Sequence, residues 1–293
     1  MFLDVSIRFP NLGIEFDNIG KSVNIFGFPI AYYGIIIALG MFIGYLVARW
    51  QAKRTGQDPE IYLDFALIAI VLSVLGARLY YVIFRWSYYV EHPLQIFNIR
   101  NGGLAIYGGV ITAFTCALVY AKIKKISFWV LADTGIFGLI AGQIIGRWGN
   151  FFNREAFGDY TTGLFAMQIK KSEVAADSIT DQMLHNIKTI NGIDYIQVHP
   201  TFLYESLWNL GLLIIMILYS KHKKVDGEMI AIYLFGYGLG RFWIEGLRTD
   251  QLLLWGTKIP ISQLVSVGAM LLGVAIIAYR RHKKMTVKGL FNK

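Results

Sequence analysis

Residues 146–158 read GRWGNFFNREAFG, and their polar side chains follow directly on a long apolar run. The polar positions in this stretch include Arg147, Asn150, Asn153 and Glu155. A guanidinium group can hold two phosphate oxygens at once and stays charged when it is removed from water. Arginines in such a setting therefore predict an anion site, and their geometry suits a phosphate, such as the head group of a phospholipid.

A second polar stretch, GRFWIEGLR, lies in the last quarter of the chain. Arg241, Glu245 and Arg248 are spaced at i, i+4 and i+7, so they share one face of a helix. Two positive charges and one negative charge on this face predict a site with net positive charge. A ladder of salt bridges within one helix is the alternative interpretation. The motif HPTFLYE adds a further carboxylate, Glu205.

The sequence lacks the motifs of several common mechanisms. It has no HExxH, no P-loop and no Gly-x-Ser-x-Gly, and no carboxylate pair typical of a magnesium site for phosphoryl transfer. The single cysteine, Cys116, lies in an apolar run and is expected in the core. We therefore expect neither a metal nor a cofactor. A phosphate that is held without metal can serve as a leaving group as well as an anchor.

The elements that position these residues are predicted to be membrane helices. The chain has 293 residues, of which 55% are hydrophobic and 16% charged, whereas soluble domains average about 25% charged residues. Long apolar runs without strict alternation favour helices over a β-barrel. Seven stretches have about the 20 residues needed to cross a bilayer. They are residues 22–48, 61–84, 102–121, 128–146, 202–219, 228–246 and 259–279.

Basic residues give the expected orientation. Each odd-numbered span ends on a basic cluster, which predicts an N-terminus outside the cell and a C-terminus in the cytoplasm. These clusters also account for the net charge of +9 without nucleic-acid binding. They comprise Arg49, Lys53, Arg54, Lys122, Lys124, Lys125, Lys221, Lys223, Lys224, Arg280, Arg281, Lys283 and Lys284.

The longest external segment is predicted to form a small head of mixed structure. Residues 151–198 form this insertion in what we interpret as a single membrane domain of residues 1–293. Within it, GLFAMQIKK and DYIQVHP are typical of strands, and SEVAADSITDQMLHNI is compatible with a short helix. Among the charged residues inside or near spans, we interpret Asp64 and Asp133 as structural. Arg78 is a further candidate for the anion site.

Four motifs, taken in chain order, resemble the prolipoprotein diacylglyceryl transferase family. They are NGGLAIYGG, GRWGNFFNREAFG, HPTFLYE and GYGLGRFWIEGLRTDQ, and the matches extend over residues 30–275. The resemblance implies transfer of a diacylglyceryl group from phosphatidylglycerol to the lipobox cysteine of a prolipoprotein signal peptide, with release of glycerol phosphate. It also implies a bacterial cytoplasmic membrane protein whose active site faces the outer leaflet.

The resemblance assigns roles to individual residues. Arg147 and Arg241 match the arginines near the lipid phosphate, and Glu205 and Glu245 match polar positions that line the cavity. The remaining candidates are signature or neighbouring positions: Tyr33, Asn150, Asn153, Glu155, Gly158 and Arg248.

One position departs from the family pattern. Many members have histidine, favoured as the base, where this chain has Tyr107. Tyrosine has a reference pKa of about 10 and is a poor base at neutral pH. Either the base lies elsewhere or little base strength is needed, because a thiol of pKa about 8.5 is already partly ionised.

Two functions from other classes remain as alternatives. A transporter for an anionic solute would also collect arginines between helices, but it would be expected to contain inverted repeats, and no repeat is detectable. A binding protein for an anionic lipid would need the anion site without the neighbouring carboxylates and tyrosines.

Overall fold

A computed structural model describes residues 5–99 and 102–283 of the chain. This part is mainly helical, and seven long helices form its body. They are α1 (Tyr32–Arg54), α2 (Glu60–Phe84), α4 (Ile106–Ile123), α5 (Phe128–Gly146), α8 (Thr201–Tyr219), α9 (Glu228–Glu245) and α10 (Ile261–His282). Three short helices lie between them: α3 (Trp86–Glu91), α6 (Trp148–Asn153) and α7 (Asp181–His185). Asn101 and Lys284, which belong to predicted motifs or clusters, lie outside the described residues.

The predicted class, a helical integral membrane protein, is confirmed. Six helices of the described chain are long and apolar enough to cross a membrane. The remaining long helix, α9, carries Glu228, Arg241 and Glu245 and is less apolar, although it packs against α5, α8 and α10. The count of seven spans and their orientation stay predictions.

The first helix begins later than expected. The charge-free stretch from Ser22 predicted one continuous span, but its first part forms a hairpin of β3 (Ser22–Ile25) and β4 (Phe28–Ala31). The turn between the strands has positive φ angles at Phe26 (50°) and Gly27 (85°), which suit a two-residue hairpin loop. Absence of charge marks apolar surroundings but does not distinguish a strand from a helix.

A five-stranded antiparallel sheet forms the head. Its order is β2 (Ile14–Asp17), β1 (Val5–Phe9), β5 (Met167–Lys170), β7 (Ile193–Val198) and β6 (Lys188–Ile190). The two segments with strand-like sequences form β5 and β7, and α7 lies in the segment compatible with a helix. Strands β1 and β2 were not predicted from the sequence. Ile169 on the central strand β5 pairs with Ile7 and Ile196, and all three side chains are fully buried.

Close packing of α1 against α5 sets the position of the polar stretch that follows α5. A Cβ atom added at Gly44 would lie 2.6 Å from the carbonyl oxygen of Gly138, and one added at Gly138 would lie 2.4 Å from that of Gly44. Small residues of this kind let two membrane helices approach closely. The contact brings the start of α1, with Tyr33, beside the end of α5.

The ends of the bundle differ in composition. At the end opposite the head, which we call the basic end, Lys124 forms an ion pair of 3.0 Å with Asp64. In the same region Lys223 lies 2.7 Å from the buried carboxylate of Asp133. Both acids therefore have the structural role expected for them. Cys116 is buried, as predicted.

Candidate active site

A buried carboxylate joins two of the predicted arginines at the end of the bundle that carries the head. Glu205 lies in the second turn of α8, and its side chain is only 3% exposed. Its Oε1 is 2.6 Å from Nη2 of Arg147, which follows α5, and its Oε2 is 3.1 Å from Nη1 of Arg241 on α9. One side chain thus links three helices, and the two guanidinium groups come to lie on either side of it.

The network continues along the last turn of α9, where Arg241 and Glu245 have the predicted spacing, but the helix ends at Glu245 and Arg248 therefore does not share the predicted helix face. Nη2 of Arg241 lies 2.5 Å from Oε2 of Glu245, although the two groups are not aligned as a hydrogen bond. Arg248 lies beyond the end of the helix, 4.0 Å from the same carboxylate oxygen. Its guanidinium makes a two-pronged contact with Asp250, with distances of 2.9 and 2.8 Å. The alternative of a salt-bridge ladder along α9 is therefore partly realised.

The prediction of a net positive site needs correction. The network contains Arg147, Arg241 and Arg248, but it also contains Glu205, Glu245 and Asp250. The formal charges of these three arginines and three acids therefore balance. The sequence pattern counted only the charges on one helix face, whereas Glu205 comes from a different helix and Asp250 from the loop beyond.

The two arginines that contact Glu205 are partly exposed, so a ligand can reach them. The side chains of Arg147 and Arg241 are 24% and 16% exposed, while both glutamates of the network are 3% exposed. A guanidinium has five N–H donors, so contacts with one or two carboxylates leave donors for an incoming group. The arginines can therefore bind an anion through their exposed N–H groups, while the buried carboxylates fix the positions of the guanidinium groups.

The signature stretch after α5 turns its side chains in two directions. The amide groups of Asn150 and Asn153 both donate to Oε1 of Glu155, over 3.0 and 3.2 Å. Glu155 is exposed and does not pair with Arg147. Arg154, in the left-handed region at φ 56°, instead points into the head, where it is buried and contacts Glu173.

Gly158 is placed by contacts of its backbone. It forms a β-bridge with Arg248, and its N–H donates to the carbonyl of His199 over 2.9 Å. A Cβ atom here would lie 2.7 Å from the carbonyl oxygen of Leu247. Glycine thus lets the base of the head approach the end of α9 closely.

Two predicted tyrosines lie in different settings. The ring of Tyr33 packs on Gly149, where an added Cβ would be 2.8 Å away, so Tyr33 lies beside the start of the signature stretch. Tyr107 lies in the first turn of α4 and is partly buried. No hydrogen bond or ring contact among the described residues joins Tyr107 to the arginine network.

Arg78 was a candidate for the anion site, but the structure gives it another role. Its guanidinium is buried and donates to several backbone carbonyls, including those of Ile96, Asn98 and Gly103, over 2.9 to 3.0 Å. Arg78 therefore stabilises the loop between α3 and α4. The sequence alone does not distinguish a buried arginine that donates to backbone carbonyls from an arginine that binds an anion.

Sequence reasoning missed three tyrosine or glutamine side chains. Tyr237, one turn before Arg241, has its hydroxyl 3.4 Å from Oε1 of Glu205. Its ring stacks on Tyr233 at 5.3 Å, and Tyr233 exchanges hydrogen bonds with Gln143. Extending the i, i+4 spacing backwards from Arg241 would have identified both tyrosines.

Two titratable groups near the network have shifted pKa values. Burial acts to raise the pKa of Asp250, but the hydrogen bonds from Arg248 outweigh it and hold the pKa below its usual value. Partial burial lowers the pKa of His199 below its usual value, with Asp159 opposing the shift. His199 therefore tends to be neutral at physiological pH. Among the residues that the structure describes, no group of three potential metal ligands occurs.

Comparisons with known proteins show the family to which the chain is similar. A family model described as prolipoprotein diacylglyceryl transferase matches residues 21–279. A phosphatidylglycerol–prolipoprotein diacylglyceryl transferase of Bacillus cereus (strain 03BB102) is 43% identical over 260 residues, which cover 89% of this chain and 91% of the relative. A Bacillus licheniformis protein of the same name is 44% identical over 262 residues, covering 89% and 92% of the two chains.

Proposed function

The chain belongs to the prolipoprotein diacylglyceryl transferase family, and we propose that the arginine network is the site of the family's reaction. The protein transfers a diacylglyceryl group from phosphatidylglycerol to a prolipoprotein. The observation that supports this location is the placement of Glu205 between Arg147 and Arg241. The transporter and lipid-binding alternatives are not favoured.

Phosphate binding is the first task of this site. Arg147 and Arg241 direct their remaining N–H donors at the phosphate of the lipid, while Glu205 keeps the two guanidinium groups apart at a fixed spacing. Asn150 and Tyr33 border the same space, and Arg248 with Asn153 extends it. The released glycerol phosphate is a phosphate monoester, which carries about −1.5 to −2 charges at pH 7. The carboxylates of the network repel this charge and therefore favour release of the product.

The chemical step is a displacement at carbon. The sulfur of the lipobox cysteine attacks the carbon of the diacylated glycerol that bears the phosphate ester. A C–S bond forms to this carbon as its C–O bond to the phosphate breaks. The bonding electrons pass to the phosphate oxygen, and glycerol phosphate leaves. Arg147 and Arg241 stabilise the charge that grows on this oxygen. The product is a thioether.

The proton of the thiol needs an acceptor near the attacking sulfur. Glu155 suits this role best, because both amides that fix it donate to Oε1, and Oε2 accepts no hydrogen bond within the described chain. Glu245 is held by two arginines and orients them. In the part of the chain that the structure describes, Tyr107 has no hydrogen bond to the network, and in this proposal it orients the reacting groups.

The difference between the two ends of the bundle supports a proposed orientation in the membrane. The protein is a multi-pass membrane protein. In our proposal it lies in the bacterial cytoplasmic membrane, with the head and the arginine network toward the outer leaflet and the basic end in the cytoplasm. A phosphatase reporter that works only outside the cell should be inactive when fused after Lys293. Activity of this fusion would contradict the proposed orientation.

A direct assay tests the proposed reaction. The purified protein is incubated with phosphatidylglycerol and a peptide containing a lipobox cysteine, and the peptide mass and released glycerol phosphate are measured. We expect both a lipid-modified peptide and stoichiometric glycerol phosphate. A peptide with serine at the cysteine position is the control and should stay unmodified. Lipid binding without either product would instead support the binding-protein alternative.

A further inference from the structure

The connection between α9 and α10 is a short, ordered hairpin. We call residues 252–260 the tryptophan hairpin. The N–H of Leu254 donates to the carbonyl of Ile259 over 2.8 Å, and Leu253 forms a bridge with Pro260. Gly256, with φ of 75°, completes the turn at the tip. Backbone bonds within the hairpin thus satisfy several of its own polar groups and fix its shape.

The surface of this hairpin is unusually apolar. Trp255 at the tip is 99% exposed, and Leu252 is 62% exposed. Leu253, Leu254 and Ile259 are also exposed. An aromatic ring and several aliphatic side chains on one small projection are unfavourable in water. In the functional protein, an apolar environment must therefore cover the tryptophan hairpin.

Both strands of the hairpin are anchored to the site. The side chain of Gln251, just before it, donates to the backbone carbonyl of Glu245 over 2.5 Å. Arg248 and Asp250 form their two-pronged contact on the same side. Beyond the hairpin, Gln263 donates to the carbonyl of Phe242 over 3.0 Å. The last turn of α9 and the hairpin therefore move together.

We propose that the tryptophan hairpin docks into the lipid of the leaflet that faces the head, at the boundary between head groups and acyl chains. Helix α10 begins directly after the hairpin, at Ile261, is apolar enough to span a membrane, and carries exposed leucines such as Leu264 and Leu271. Tryptophan is favoured at this boundary, and Lys258 beside it can reach anionic head groups. A signal peptide would cover such a surface only during turnover, whereas lipid covers it permanently.

Docking of this kind has a consequence for the donor lipid. The hairpin fixes the depth of the last turn of α9, and with it Arg241 and Glu245, relative to the phosphates of the leaflet. This consequence rests on the proposed function of the arginine network. The docking itself does not, because contact between the hairpin and lipid is independent of catalysis.

Tryptophan fluorescence in vesicles tests the docking. The protein and its Trp255→Phe variant are placed in vesicles of phosphatidylglycerol and phosphatidylcholine, with or without bromine on the acyl chains. We expect the emission lost in the variant to be quenched by brominated lipid and protected from aqueous iodide. The matched control is Trp129→Phe, which also removes the emission of one tryptophan, but at the basic end, where Trp129 packs on Arg280.

Two results would overturn the docking. One is a Trp255 signal that iodide quenches and brominated lipid does not. The other is protection from iodide that appears only after a lipobox peptide is added, since this would make the peptide the occupant. Both results are readable in a protein with no transferase activity, so failure of the docking is distinct from failure of the proposed function.

Kinetics test the consequence for the donor lipid. Trp255→Ser should raise KM for phosphatidylglycerol several-fold in vesicles and leave KM unchanged in detergent micelles, where depth has no meaning. Leu184→Ser, an exposed leucine on the head, should change neither value. An equal rise of KM in vesicles and micelles would contradict a role through the bilayer.

Discussion

The two ends of the helix bundle both contain buried carboxylates paired with cations, but they use them differently. At the basic end, Asp133 accepts from the backbone N–H groups of Gly227 and Ile230 over 2.7 and 3.0 Å, as well as from Lys223. Its carboxylate thereby caps the start of α9. Glu228 likewise accepts from the N–H of Lys224 over 2.7 Å.

At the end with the head, the two buried glutamates of the network, Glu205 and Glu245, contact charged or polar side chains rather than backbone N–H groups. Glu205 contacts Arg147, Arg241 and Tyr237, and Glu245 contacts Arg241 and Arg248, neither of them through an aligned hydrogen bond. An acid bound to backbone N–H groups cannot move without unwinding a helix end. An acid bound to flexible arginines can share them with a ligand. Burial and charge alone do not separate a structural ion pair from a binding site, whereas the kind of partner does.

The largest effect should follow from removing the acid that contacts the backbone. Asp133→Ala leaves Lys223 and two helix N–H groups without their buried partner, and breaking such a pair typically costs about 3–5 kcal/mol of stability. We expect this loss in unfolding measured in detergent, with near-normal turnover per folded molecule. Asp64→Ala removes an exposed pair at the same end and should cost less than about 1 kcal/mol. Equal losses in the two variants would contradict the distinction drawn between the ends.

Conservative changes at the arginines should lower activity rather than stability. In Arg147→Lys or Arg241→Lys the charge remains but the fork that holds two oxygens is lost. Each lost charge-assisted hydrogen bond is worth about 1.5–3 kcal/mol, so turnover should fall roughly ten- to a hundred-fold. Thermal unfolding of the purified variants should change little.

The control for these variants is Arg85→Lys, at an exposed arginine that ends α2. Arg280, which the sequence places in a basic tail, is unsuitable because it lies within α10, is 9% exposed and stacks on Trp129. Normal turnover in both Arg147→Lys and Arg241→Lys would exclude a phosphate clamp. A loss of stability with normal activity of the folded fraction would make these ion pairs structural, like those at the basic end.

Removing the hydroxyl of Tyr107 should have a smaller effect. General bases contribute about 10²–10⁴-fold to rate, but Tyr107 is not joined to the arginine network, so Tyr107→Phe should retain activity within about tenfold. Tyr107→His should also be active. Steady-state assays with the lipobox peptide measure both. A loss of several orders of magnitude in a folded Phe variant would place this hydroxyl in the chemical step.

The smallest effect concerns the exposed edge of the network. The pKa of Asp250 is lowered in the folded protein. Its pair with Arg248 therefore stabilises the fold fully at pH values above the unfolded pKa of the carboxyl, about 3.9. This stabilisation is lost as the pH falls through the lower pKa of the folded state. For an exposed pair the contribution is about 0.2–1 kcal/mol. Unfolding of wild type and Asp250→Asn should therefore differ at neutral pH and converge in acid. A difference that persists at low pH would contradict this origin.

The sequence predicts the helices better than it predicts their contacts. Apolar length alone located α2, α5 and α8 to within one residue at each end, because a membrane span has few alternatives. The same criterion missed the β3–β4 hairpin, since strands in an apolar setting are equally free of charge. Strands β1 and β2 were missed because they are short and because β5, which pairs with β1, lies far along the chain.

The site shows the same limit. Spacing along one helix identified Arg241, Glu245 and Arg248 together, and the polar residues in GRWGNFFNREAFG and HPTFLYE identified Arg147 and Glu205. That Glu205 lies between the two arginines depends on how three helices pack, which no local pattern specifies. The charge balance and the carbonyl contacts of Arg78 are packing results of the same kind. Whether each candidate takes part in catalysis stays a prediction.

Pairing of β1 with β5 has a consequence for how the chain is made. The first strand leaves the ribosome early, but its partner follows only after α1, α2, α4 and α5 have been synthesised. At about 5–20 residues per second, that interval is roughly ten to thirty seconds. During it β1 has only the short hairpin with β2, which is marginally stable alone, and one edge stays open to other strands. The growing chain therefore passes through a stage in which its first strand is exposed to chance partners, and closure of the head marks the end of that stage.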